Sequence, residues 1–226
     1  CNKDPYSAQS INSDAIKDMI KIVSKNQMII MPTTNSAYGT GDENNFCDEN
    51  SPLRPISKYA IDKVEIEKLL MARENSISYR LATVFGMSPR MRVDLLVNDF
   101  VFRAMYEKFI VLFEHSFNRN YIHVKDVSSA FCLGLENLTN MNNNIFNVGL
   151  SDANLTKLDL CNKIKKYINF KVIIDEIEKD PDQRNYIVSN DKIEKCGFKP
   201  KYSIDDGIQE LIKGYQGYKF RKFSNV

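Results

Sequence analysis

Tyr59 and Lys63 stand four residues apart in the stretch Pro55-Ile56-Ser57-Lys58-Tyr59-Ala60-Ile61-Asp62-Lys63, and they are the first residues in the chain whose spacing offers chemistry. A free tyrosine ionises near pH ~10 and is a poor base at neutral pH. A cation within about 4–6 Å favours the phenolate and lowers that value. On a helix, positions i and i+4 share a face, so Lys63 can supply the cation and the pair can work as an acid and base. The same spacing has a second reading, in which Lys63 snorkels from a half-buried helix and Tyr59 fills the core.

The element that must position this pair is a helix. Residues 59–70 carry apolar Val64, Ile66, Leu69 and Leu70 among charged Asp62, Glu65, Glu67 and Lys68, a helical period. Ser57 reads as its N-cap, with prolines ending the structure before it. Tyr59 and Lys63 then lie in line with Ile66 and Leu70, which places a lysine on an otherwise apolar stripe.

The 226 residues can bury a sizeable core. The net charge of +2 carries no nucleic-acid footprint. Five cysteines, odd in number and without a CxxC pair, fit free thiols in a reducing compartment. His115 and His123 form no metal-ligand pattern with them. No membrane span or signal peptide is legible, and the expectation is a cytoplasmic protein. The chain opens on Cys1 instead of methionine, which fits an incomplete amino terminus.

Residues 10–24 read as an amphipathic helix, with Ile11, Ala15, Met19, Ile20, Ile22 and Val23 on one side. The apolar run 27–31 and the run 78–85 read as buried strands of a parallel sheet. Thr33, Thr34, Asn35, Thr83 and Phe85 fall at the carboxyl ends of these strands, where open parallel sheets bind ligands; turn chemistry is the alternative use for Thr and Asn there. Beyond, 87–117 reads as a loop and helix capping the site, 151–168 as a capped helix and 171–175 as a strand. Residues 190–195 read as a short helix closed by Gly197, and 204–213 as a last helix opened by a Ser203/Asp206 capping box. The basic tail Lys219–Lys222 reads as a solvated terminus.

Four motifs in order carry a resemblance over essentially the whole chain. They are Thr33-Thr34-Asn35-Ser36-Ala37-Tyr38-Gly39, Tyr59-x-x-x-Lys63, Tyr79-Arg80-Leu81-Ala82-Thr83-Val84-Phe85-Gly86, and Arg119-Asn120-Tyr121-Ile122-His123-Val124. Phe146-Asn147-Val148-Gly149, Arg184-Asn185-Tyr186 and Gly197-Phe198-Lys199-Pro200 fit the same pattern. The chain resembles the extended short-chain dehydrogenase/reductase family of NAD-dependent nucleotide-sugar epimerases and dehydratases. The resemblance implies an α/β fold: the carboxyl-terminal part of a Rossmann-like, doubly wound parallel sheet with an interleaved small α/β substrate lobe. Residues 1–86 would be the later half of the dinucleotide-binding domain. Residues 87–226 would be mainly the substrate lobe, with 119–150 returning to the sheet. The family opens with a G-x-x-G-x-x-G turn that cradles the cofactor pyrophosphate; none of the nine glycines here has that spacing. Two or three βα units, with each βαβ unit roughly 30 residues, are therefore expected in front of Cys1.

By resemblance, Tyr59 is the catalytic acid/base, Lys63 holds the nicotinamide ribose and lowers the tyrosine pKa, and Thr34 hydrogen-bonds the reacting sugar hydroxyl. Asn12, Thr33, Tyr59, Lys63 and Phe85 are the cofactor contacts. Thr34, Asn35, Thr83, Arg119, Asp182 and Arg184 are the substrate contacts, with Arg119 and Arg184 suited to a diphosphate by their planar donor forks. Thr83 departs from the asparagine usual at its position. No metal is expected, and the cofactor is NAD, with NADP also open. Dehydratases of this family follow the threonine with Asp-Glu; Asn35-Ser36 cannot do that acid–base work, so a 4,6-dehydratase is disfavoured. The reading is a nucleotide-sugar epimerase or oxidoreductase. Its alternatives are a 4-keto reductase and a non-catalytic nucleotide-binding module of the same fold. The expected partner is a nucleotide sugar, without nucleic acid or membrane, and a homodimer is open. Arg90 and Arg92 receive no role, and His123 reads as structural.

Overall fold

The computed structural model describes residues 4–41, 46–176 and 183–217. In chain order the elements are α1 (Pro5–Gln9), a π-helical turn (Ser10–Asp14), α2 (Ala15–Ile22), β1 (Ile29–Thr34), a 3-10 turn (Asn35–Tyr38), β2 (Phe46–Cys47), α3 (Lys58–Met71), β3 (Ser76–Leu81) and β4 (Thr83–Phe85). There follow α4 (Leu96–Tyr106), β5 (Phe109–Leu112), β6 (Asn118–His123), α5 (Val124–Glu136), α6 (Leu138–Met141), β7 (Asn144–Val148) and β8 (Asn154–Thr156). The last are α7 (Lys157–Lys165), β9 (Lys171–Ile174), β10 (Ile187–Val188), α8 (Asp191–Lys195) and α9 (Ile204–Gly217).

β1, β3 and β7 form a parallel sheet in that order. Strand side chains alternate between faces, and β3 shows what each face meets. Ile77 and Tyr79 enter an apolar core with Ala130, Phe146 and Val148, and the Tyr79 hydroxyl donates to the Ala130 carbonyl of α5 at 2.9 Å. Ser78 and Arg80 face α3 instead, where both bond Glu67. The sheet is thus covered by α5 on one face and α3 on the other. Among the described strands β1 lies at one end of this sheet, and it contains Pro32.

The expected strand 78–85 is two strands in two sheets. The chain turns at Ala82, whose N–H donates to Val148, and β4 pairs with β6, which pairs antiparallel with β8. This second sheet, with β5 paired to β9, underlies a separate apolar core of Val97, Val101, Leu160, Ile164, Ile208 and Leu211 from α4, α7 and α9. The expected helix 151–168 is shorter. β8 occupies its first residues, and the helix starts where Thr156 and Asp159 form a capping box. The helix expected over 10–24 is interrupted by the π-turn, and α2 contains no buried residue; Ile11 and Ile22 are exposed.

Other sequence expectations match the elements. Ser57 caps α3 by accepting from the Ala60 N–H at 3.2 Å. Gly197 ends α8 with a φ of +98°, and Ser203 with Asp206 caps α9. His123 is fully buried, holds Glu210 of α9 at 2.7 Å and stacks on Tyr202. The tail Lys219–Lys222 lies outside the described residues.

Candidate active site

The end of β1 and the start of α3 bring the candidate residues Thr34, Tyr59 and Lys63 into one region. Thr34 is the last residue of β1 and caps the 3-10 turn that follows: it accepts from the Ser36 N–H at 3.1 Å and donates to the Ser36 hydroxyl at 2.9 Å. Such i to i+2 bonds are the usual local habit of threonine at a turn. Tyr59 is in the first turn of α3, and Lys63 is one turn further on. The Lys63 ammonium donates to the Pro32 carbonyl of β1 at 3.2 Å and lies 5.9 Å from the centre of the Tyr59 ring.

Burial pushes the Tyr59 phenol above its ordinary range, and the charges of Arg184 and Arg92 oppose that rise. Burial likewise lowers the Lys63 ammonium. The Arg184 guanidinium donates to the Ser36 hydroxyl. Arg92 grips Asp94 with two bonds of 2.7 and 2.6 Å, and its carbonyl accepts from Asn98, which also holds the Gly86 N–H. Its loop is pinned further by buried Met91 and Val93.

The other expected contacts occupy varied places. Thr33 turns inward, bonding Glu67 at 3.1 Å and Ser78 at 2.9 Å. Asn35 is buried with both amide atoms unpartnered among the described residues. Asn12 sits half-buried in the π-turn beside α3; π-turns within helices are frequent at functional sites. Thr83 and Phe85 belong to the second sheet, where Thr83 is in register with Tyr121 and the Phe85 ring packs edge-on against His123 in the core. Arg119 is almost fully buried; it donates to the carbonyls of Asn118 and Arg184 and lies over the Tyr186 ring, so it braces the backbone of Arg184. Asp182 lies outside the described residues.

The sequence reading gave no role to Ser36, Arg92 or Glu67. Glu67 continues the Tyr59–Lys63 line by another i+4 step, and a third polar residue on an apolar stripe is a signal that was available. Glu67 receives Thr33, Ser78 and three bonds from Arg80, and Arg80 also donates to the Tyr38 hydroxyl at 3.0 Å. β1 and β3 are tied to α3 by this buried network. Among the described residues, no group of His, Cys, Asp and Glu side chains could hold a metal, and no helix is long and apolar enough to cross a membrane.

Comparison with known proteins places these features in a family context. A family model described as the NAD dependent epimerase/dehydratase family matches residues 1–149. A dTDP-4-dehydro-6-deoxyglucose reductase from Escherichia coli is 28% identical over 199 residues, covering 83% of this chain and 60% of the relative. A putative UDP-glucose 4-epimerase from Methanocaldococcus jannaschii is 25% identical over 209 residues, covering 87% of this chain and 65% of the relative. The chain thus spans less than two thirds of these relatives. In fold, a dTDP-glucose 4,6-dehydratase from Bacillus anthracis, solved in complex with NAD, superposes with a TM-score of 0.80 over 96% of this chain and 71% of the other, at 18% identity.

Proposed function

The chain belongs to the NAD dependent epimerase/dehydratase family, and on that premise we propose that it carries the reaction end of a nucleotide-sugar epimerase or oxidoreductase. The observation that supports this most is the convergence of Tyr59, Lys63, Thr34 and Arg184 at the end of β1.

The residues present suit the reactive end of a nicotinamide cofactor. Lys63 has three donors; the bond to Pro32 uses one, and the ammonium faces the tyrosine ring. The pyrophosphate end finds no glycine-rich turn in this sequence. When bound, NAD or NADP supplies the hydride acceptor or donor. The chain's own residues handle the proton and the sugar. Oxidising a carbinol breaks its C–H and O–H bonds, and Tyr59 takes the hydroxyl proton. In the reverse direction Tyr59 returns that proton to the carbonyl oxygen. Burial favours the neutral phenol over the phenolate, and the phenol is the form that donates in the reductive direction. Thr34 orients the sugar, and Arg184 faces the diphosphate of the substrate.

On this reading a homodimer would use α3 and α2, a reading supported by the exposure of Ile61, Leu69 and Ile22. Light scattering on wild type and Ile61→Glu tests that part. The main test is nicotinamide absorbance in the full-length polypeptide with a panel of nucleotide sugars. Cofactor turnover that disappears in Tyr59→Phe supports the reading. Binding without turnover, unchanged in Tyr59→Phe, replaces it with a non-catalytic module.

A further inference from the structure

We infer that Ser36 is a positioning residue, one oxygen that fixes both the anion-facing Arg184 and the sugar-facing Thr34 before the substrate arrives. The inference rests on the functional reading above for what those two residues meet.

The Ser36 hydroxyl oxygen has two lone pairs. One receives Arg184 Nη1 and the other receives the Thr34 hydroxyl at 2.9 Å. The Ser36 N–H closes the loop by donating to Thr34 Oγ1 at 3.1 Å. Ser36 and Thr34 are both buried, at 4% and 8% exposure, so water competes poorly for these bonds. Arg184 is held at its other end as well, because Arg119 donates to its carbonyl. A long guanidinium side chain is thereby fixed at backbone and head. With Nη1 on Ser36, the guanidinium is held in one orientation, and less side-chain entropy is lost when an anion binds beside it. The cation fixed on Ser36 also acts on Tyr59. Ser36 thus ties the anion site to the reacting pair through two hydrogen bonds. Alanine removes both, whereas threonine keeps the hydroxyl.

The test titrates inorganic pyrophosphate and uridine diphosphate into wild type, Ser36→Ala, Ser36→Thr, Arg184→Ala and the double variant Ser36→Ala/Arg184→Ala. The Arg184 guanidinium N–H signals are followed by NMR. Ser36→Ala is expected to weaken diphosphate binding about three- to tenfold, Ser36→Thr to restore it, and Ser36→Ala to have no further effect once Arg184 is gone. The protected Arg184 signals of wild type are expected to disappear in Ser36→Ala. Unchanged affinity in Ser36→Ala, or an equal loss with and without Arg184, overturns the inference and leaves the functional reading standing. If no form binds either probe, the functional reading fails. The NMR signals then decide the Ser36 link alone: protection lost in Ser36→Ala supports it, and unprotected signals in wild type overturn it.

Discussion

The ammonium of Lys63 lies 5.9 Å from the centre of the Tyr59 ring and donates to the Pro32 carbonyl of the neighbouring strand. Lys63 therefore ties α3 to β1 at the candidate site. The cations that oppose the rise in the Tyr59 pKa are Arg184 and Arg92, which reach the site from distant parts of the chain.

This arrangement predicts the titration of Tyr59. Its phenol should ionise above the usual value near ~10, because burial dominates. Arg92→Ala and Arg184→Ala should each raise it further. A pH titration of the labelled tyrosine ring carbon by NMR measures this. A Tyr59 value indifferent to both arginines would refute the arrangement.

On the proposed reading, Tyr59→Phe removes the proton carrier and leaves the ring packing in place. Turnover in the full-length polypeptide should fall about 10²–10⁴-fold, with thermal stability close to wild type. A variant that keeps its rate would assign the proton transfer to another group.

Glu67→Gln should destabilise the fold by about 3–5 kcal/mol, because it leaves the buried Arg80 charge without its counter-charge. Arg80 and Glu67 are each about as buried as core residues and meet at 2.6 Å. Thr33 and Ser78 also keep a weaker acceptor in place of the carboxylate. Urea unfolding reports the loss, and a midpoint equal to wild type would show that the network contributes little.

Gly86→Ala tests the turn after β4. Gly86 has a φ of +108°, and a Cβ there would lie 2.4 Å from His123 Nε2. His123 cannot yield easily, since Glu210 holds the same ring nitrogen. The expected cost is about 2–4 kcal/mol, combining overlap with backbone strain, read by the same unfolding assay.

Stability should fall in alkali. Burial raises the phenols of Tyr38, Tyr79, Tyr121 and Tyr215 and pushes the Cys161 thiol up to about 12. For a group whose folded pKa exceeds its unfolded value, the contribution is complete below the unfolded value and is lost as pH rises towards the folded one. The unfolded references are 9.0 for the thiol and 10.0 for the phenols. The urea midpoint should therefore hold to about pH 9 and decline above it; a flat midpoint to pH 11 would contradict the burial of these groups.

By itself the sequence determined what depends on local spacing. The i to i+4 step put Tyr59 and Lys63 on one helix face, Ser57 marked the start of that helix, and Gly197, Ser203 and Asp206 marked later ends. These follow from backbone geometry and capping, which a few neighbouring residues settle. The tertiary structure decided the partners. It turned Thr33 into the α3 interface, sealed Phe85 in the second core, split the strand at Ala82 between two sheets, and brought Arg92 and Arg184 to Tyr59. Hydrogen bonds and charges act through space over a few ångströms, and only the packing of sheet, helix and loop fixes which distant residues come that close. Ser36 shows the difference: its bond to Thr34 is a local turn, while its bond to Arg184 spans 148 positions of chain.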